Sequence, residues 1–128
     1  MLIPDYYRIE KMEKRENNTL FSISLNPLCK VYDGHFPGEP VSPGVCNIQM
    51  IKECVEQVVG TPLLLAGMSK CRLLELMNPV THAKVELEIE LQEQSESGVK
   101  VYAVLGMDEQ TYIDMKAEFV YSETDRKE

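Results

Sequence analysis

Residues 34–45 read GHFPGEPVSPGV, with three prolines and three glycines around one of the chain's two histidines. An imidazole titrates near neutrality and can take a proton as a general base. Pro37, Pro40 and Pro43 fix φ and remove backbone donors, so the segment loses little conformational entropy on folding. Gly34, Gly38 and Gly44 let backbone and ligand approach closely. The segment runs directly into an apolar stretch of helical period. It therefore ends at a helix N-terminus, where unpaired N–H groups can stabilise a developing oxyanion. A stiff loop, the His35 imidazole and an N–H donor are what abstraction of a proton beside a carbonyl requires. The competing reading of His35 is a loop histidine whose hydrogen bonds are satisfied locally.

The elements that must hold this segment follow from hydrophobic period. In VCNIQMIKECVEQVVG, Val45, Ile48, Ile51, Val55 and Val58 recur every three or four residues, and Cys54 and Val59 widen the stripe. This predicts one long helix, with Pro43 near its first turn and Gly60 and Pro62 at its end. The wide apolar arc predicts burial on most sides. Gln49, Lys52, Glu53 and Glu56 fall on its polar side. Glu56 reads as a solvated face. Gln49 and Glu53, one turn apart on the same face, read equally as solvated or as part of a site.

Upstream, YYRIEKMEK, the turn ENN and TLFSISL read as a hairpin, with Phe21, Ile23 and Leu25 inward. Downstream, LLLAGMSKCRLLELM reads as strand, with a helical turn as the alternative. In KVELEIEL, Val85, Leu87, Ile89 and Leu91 alternate with charges. VKVYAVLGM and TYIDMKAEFVY complete a meander with turns at SESG and DEQ. Together these give an α+β domain, one long helix on a mainly antiparallel sheet with one polar face. Met50, Met68 and Met77 read as core, and His82 as structural or exposed.

At 128 residues the chain fits one domain spanning 1–128, long enough to bury roughly 65–70% of its unfolded surface. Hydrophobic residues at 44% and charged residues at 27% exclude a disordered chain. No apolar run approaches the ~20 residues that cross a bilayer, and the N-terminus does not read as a signal peptide. A net charge of −8 without a basic stripe argues against nucleic acid as a partner. Cys29, Cys46, Cys54 and Cys71 form no CxxC pair and read as reduced thiols of a cytoplasmic protein. With two histidines and scattered cysteines, no metal site is expected.

The segment GHFPGEPVSPGV, followed at once by an apolar helix, resembles the signature of the β-hydroxyacyl-acyl-carrier-protein dehydratases of the FabZ/FabA type. NPV at 78–80 is similar to a second family element, although Thr81, His82 and Ala83 replace its usual continuation. The resemblance covers nearly the whole chain. It implies the hotdog fold, an antiparallel sheet wrapped around one central helix, and a homodimer or higher homo-oligomer whose site is shared between subunits. It implies that His35 takes the α-proton, that the Gly44 N–H polarises the thioester carbonyl, and that a helix carboxylic acid protonates the departing hydroxyl. Fourteen residues past His35, where the family carries that acid, this chain has Gln49, and four residues later, where a glutamine is usual, it has Glu53. An amide cannot deliver a proton as a carboxylic acid does. Glu53 is then the shifted acid, or dehydration is weakened or lost.

The resemblance thus implies a dehydratase acting on acyl-carrier-protein-bound 3-hydroxyacyl thioesters in fatty-acid or polyketide-type biosynthesis. It would need no cofactor beyond the phosphopantetheine arm that arrives with the substrate. Two alternatives stand beside it. One is a hotdog acyl thioesterase in which Gln49 and Glu53 orient water. The other is a non-catalytic subunit partnering an active paralogue. The acidic surface opposes encounter with acidic carrier proteins, so a local basic spot is expected at Lys70 and Arg72, with Lys84 behind them.

Overall fold

The structure is a computed structural model that describes residues 6–26, 44–74 and 83–122. Among the described residues seven elements follow in the order β1 (Tyr7–Lys14), β2 (Thr19–Leu25), α1 (Gly44–Val59), β3 (Leu63–Leu73), β4 (Lys84–Gln94), β5 (Gly98–Met107) and β6 (Gln110–Tyr121). The strands form one six-stranded sheet in the order β1-β2-β4-β5-β6-β3, antiparallel throughout. One helix on one antiparallel sheet is the α+β architecture expected from the sequence. His35, His82, Cys29, Met77 and residues 27–43 lie outside the described residues.

Period-two alternation sets the sheet's inner face. Thr19, Phe21, Ile23 and Leu25 of β2 are buried while the residues between them are partly exposed. Val85, Leu87 and Ile89 of β4 continue that face, followed by Val101, Ala103 and Leu105 of β5 and Ile113, Met115, Ala117 and Phe119 of β6. Register confirms the alignment, with Phe21 opposite Leu87 and Leu87 opposite Leu105. Against this face α1 buries Asn47, Met50, Ile51, Cys54 and Val55 completely or nearly so. Ile48, Val58 and Val59 pack at the margin of the same cluster. The buried stripe is thus centred on Met50, Ile51, Cys54 and Val55, and the opposite flank is left for polar groups.

Gly60 ends α1 at φ +81°, its N–H bonded to the Glu56 carbonyl at 2.7 Å. That left-handed cap is favourable for glycine, which lacks a Cβ. The SESG turn closes through a Ser95 N–H to Gly98 carbonyl bond of 2.9 Å. The β5–β6 turn is tighter: Asp108 and Glu109 both have positive φ, 53° and 71°, the backbone of a two-residue type I′ hairpin.

The ambiguous stretch after Pro62 is strand β3 through Leu73. It is an edge strand, and after Leu63 almost all of it is exposed on both faces. Leu64, Leu65, Met68, Leu73 and Leu74 all show 41% or more of their surface. The core reading of Met68 is therefore corrected. The residue is apolar but stands on the edge strand with 41% of its surface exposed. Register shifts at Leu65/Gly67 and at Met68/Lys70 bend β3 against β6.

Candidate active site

The polar flank of α1 is organised around two carboxylates. Glu53 accepts a hydrogen bond from the Tyr7 hydroxyl on Oε1 at 2.7 Å and one from the Gln49 side-chain amide on Oε2 at 3.2 Å. The Gln49 bond follows from the helix, because residues i and i+4 stand above one another. The Tyr7 bond comes from the sheet. Tyr7 opens β1 opposite the buried Leu25, so its side chain points to the inner face and reaches α1. Next to it, Tyr6 is fully buried and its hydroxyl donates to Asn47 Oδ1 at 2.6 Å. The two rings meet edge to face, with centroids 6.5 Å apart. The start of β1 thus fastens to the helix at two polar points.

The second carboxylate corrects the sequence reading. Glu56 is no solvated surface group, since its side chain is only 24% exposed. Its Oε2 accepts from Lys52 Nζ at 2.8 Å and from the Leu63 N–H at 2.8 Å, while Lys52 also donates to the Leu63 carbonyl at 3.1 Å. This pair holds the last turn of α1 against the first residue of β3. Tyr7, Lys52, Glu53, Glu56 and Leu63 together border an open cleft of about 790 Å³ that continues past Gly60 to Ser122.

Burial, and secondly the bond to Glu53, push the Tyr7 hydroxyl far above its ordinary value, so it remains a protonated donor across the working pH range. Burial, with the Glu53 charge second, pushes the Cys54 thiol up to about 12. Cys54 therefore behaves as an inert core residue despite its neighbour. Among the described residues, no group of three His, Cys, Asp or Glu side chains is placed to hold a metal ion.

Of the residues expected at the site, the structure brings Gln49 and Glu53 into contact beside the cleft. Gly44 is the first residue of the same helix, about 7.5 Å along the axis from Gln49. His35 lies outside the described residues. Tyr7 was not legible, because it meets Glu53 across 46 positions and stands in a strand whose sequence shows only alternation.

The expected basic spot also changes. Arg72 grips the almost wholly covered Asp114 through two bonds, Nε to Oδ1 at 3.0 Å and Nη2 to Oδ2 at 2.6 Å. Lys84 lies on β4 opposite Ser24, three strands away from β3. Lys70 instead stands directly across from Lys116 on β6. With Lys100, Lys116 borders a shallow groove of about 350 Å³ on the outer face of the sheet.

Comparison with known proteins places this geometry in context. The ApeI-like family model, described as ApeI dehydratase, matches residues 11–116. A 3-hydroxyacyl-[acyl-carrier-protein] dehydratase FabZ of Halalkalibacterium halodurans is 32% identical over 102 residues, 69% of this chain and 71% of the relative. The FabZ of Syntrophobacter fumaroxidans is 29% identical over 90 residues, covering 64% of this chain and 60% of the relative. Among solved structures, the dehydratase heterocomplex ApeI:P from Xenorhabdus doucetiae superposes with a TM-score of 0.69 at 16% identity, over 88% of this chain and 96% of that one. A hypothetical thioesterase from Streptococcus pneumoniae, solved with coenzyme A, gives 0.62 at 10% identity over 91% and 88%. At these identities the solved structures establish the hotdog fold.

Proposed function

The chain belongs to the ApeI-like family of dehydratases, within the FabZ/FabA-like hotdog group, and from that premise we propose that it removes water from 3-hydroxyacyl thioesters carried on an acyl carrier protein. The observation that carries this reading is Glu53. A helix carboxyl stands one turn beyond the position where the resemblance leads one to expect an acid, beside an open cleft, on the helix that begins at Gly44.

In this reading the α-carbon loses its proton to the His35 imidazole while the Gly44 N–H draws charge onto the thioester oxygen. The electron pair forms the C2–C3 double bond and the C3–O bond breaks. A proton delivered from Glu53 converts the departing hydroxyl to water. The proton held by His35 then returns through solvent to Glu53. Gln49 shares Oε2 of that carboxyl and has a second N–H and a carbonyl with which to orient the substrate hydroxyl. The product is a trans-2-enoyl thioester. The only prosthetic group in this scheme is the phosphopantetheine arm that comes with the substrate.

The exposed apolar edge of β3 supports a dimer in which two sheets join edge to edge, in keeping with the shared site that the resemblance implies. Among the described residues no helix is long and apolar enough to cross a membrane. A cytoplasmic setting fits free thiols and a carrier-bound substrate.

A second reading, hydrolysis of the thioester, is favoured by one feature: Glu53 accepts two hydrogen bonds beside an open cleft, the arrangement of a group that orients water. Because the solved dehydratase relative is a heterocomplex, an active paralogue as partner subunit is a third. Incubation with 3-hydroxyacyl carrier protein, followed by mass spectrometry of carrier and released acid, separates the three. A loss of 18 Da on the carrier supports dehydration. Free acid means hydrolysis. No change for the purified protein alone leaves the partner-dependent subunit.

A further inference from the structure

We infer that Tyr7 is a positioning residue for the reacting carboxyl, donating from the sheet to Glu53 Oε1 so that Oε2 is presented to the substrate. The inference rests on the reading of Glu53 as the group that protonates the departing hydroxyl.

The geometry divides the carboxyl in two. Oε1 is taken by the Tyr7 hydroxyl at 2.7 Å, and Oε2 is shared with Gln49 at 3.2 Å, a longer and weaker contact. A glutamate has the rotational freedom of three side-chain torsions, and an i+4 amide on the same helix moves with the helix rather than tying the carboxyl to the sheet. A donor on a different element removes that freedom. Tyr7 can do so because it is itself held. Its ring is half-buried on the inner face of β1, it packs edge to face with Tyr6, and Tyr6 is locked by its bond to Asn47. The Tyr7 hydroxyl also keeps its proton, so it donates at every pH at which the protein would work. The family spacing puts the carboxyl at the position of Gln49. A carboxyl moved one turn along the helix needs new support to stay aimed at the same substrate atom, and Tyr7 provides it from β1. Misplacing a reacting group by about 1 Å can cost on the order of 100-fold in rate.

The test is a double-mutant cycle of Tyr7→Phe and Glu53→Gln, read as kcat and KM for enoyl formation, with crystal structures of the wild type and Tyr7→Phe. Tyr7→Phe deletes one oxygen; Tyr7→Met replaces it if the phenylalanine variant does not fold. The expected result is a drop in kcat of roughly 10-fold or more with KM within about twofold, and no further loss from Tyr7→Phe once Glu53 is Gln. Glu53 should adopt a second rotamer in the Tyr7→Phe crystal. Asn18→Ala, which removes a part-buried side-chain bond to Glu88 at the far end of β2 from the Tyr7–Leu25 pair, should leave kcat unchanged. Equal fractional losses in both backgrounds, or a Glu53 side chain unmoved in Tyr7→Phe, would overturn the inference. If the wild type forms no enoyl product, the dehydratase reading fails, and the Glu53 rotamer in the two crystals still decides whether Tyr7 positions it.

Discussion

Asp114 lies on the outer face of β6 with its carboxylate almost completely covered, and Arg72 occupies both oxygens. The bonds from Arg72 hold its pKa below the ordinary 3.8, with burial opposing and the charges of Arg72 and Lys70 adding to the lowering. A carboxyl whose folded value is depressed contributes stability above its unfolded value and loses it as pH falls through the folded one. Thermal unfolding should therefore show a midpoint that drops below about pH 4, and Arg72→Ala should flatten that dependence while lowering the midpoint at pH 7 by a few degrees. An unchanged acid limb in Arg72→Ala would mean that other carboxylates dominate it. Contacts at this scale were legible only where the chain is its own ruler. Gln49 with Glu53 follows from a four-residue spacing. Tyr7 with Glu53, Tyr6 with Asn47 and Arg72 with Asp114 join residues 41 to 46 positions apart, and nothing in composition or period pairs them.

Among the elements, the β5–β6 hairpin carries a turn its sequence does not favour. A type I′ turn places two residues at positive φ, where Asn-Gly is the preferred pair, and this chain has Asp108 and Glu109. The aspartate tolerates that region, whereas the glutamate at φ 71° pays a Cβ penalty. Glu109→Gly should raise stability by about 1 kcal/mol in denaturant unfolding, and no gain or a loss would show that the turn is not strained. The helix and the alternating strands were readable because burial on one face leaves a period: Phe21, Ile23 and Leu25 every second residue, Ile51, Val55 and Val58 every third or fourth. The run from Leu63 to Leu73 was ambiguous for a physical reason. A short apolar stretch has no period to distinguish strand from helix, and its exposure depends on where the sheet ends, which is a property of topology.

For the whole molecule, the two sheet edges differ in kind. β1 is short, charged and exposed, the usual protection against edge-to-edge pairing, while β3 is long and apolar. Two such edges would pair in the proposed dimer, so Leu64→Lys with Met68→Lys should shift it to monomer in sedimentation velocity, and turnover should fall with dimer content. A wild type that sediments as a monomer at micromolar concentration would contradict a shared site. Approach of an acidic carrier protein to a chain of net charge −8 needs local attraction. Lys70 and Lys116 stand opposite each other on the outer face; Lys116 Nζ lies 5.7 Å from the centroid of the Tyr102 ring, and among the described residues neither lysine makes an ion pair such as Arg72 makes with Asp114. Lys70→Glu with Lys116→Glu should raise KM for carrier-bound substrate several-fold and spare a small pantetheine thioester, whereas equal losses on both would place the effect in folding. The central claim is that Glu53 has taken over the task of the missing helix acid, and it is tested most directly by enoyl-thioester formation in the wild type, Glu53→Gln and Gln49→Glu, each first shown to be folded and dimeric. General acid catalysis is worth roughly 10²–10⁴-fold. The account predicts that the wild type turns over, that Glu53→Gln loses at least about 100-fold, and that Gln49→Glu gains nothing, because two carboxylates one turn apart repel. A wild type and Glu53→Gln of equal rate, or a wild type that is silent until Gln49→Glu restores the acid, would contradict it.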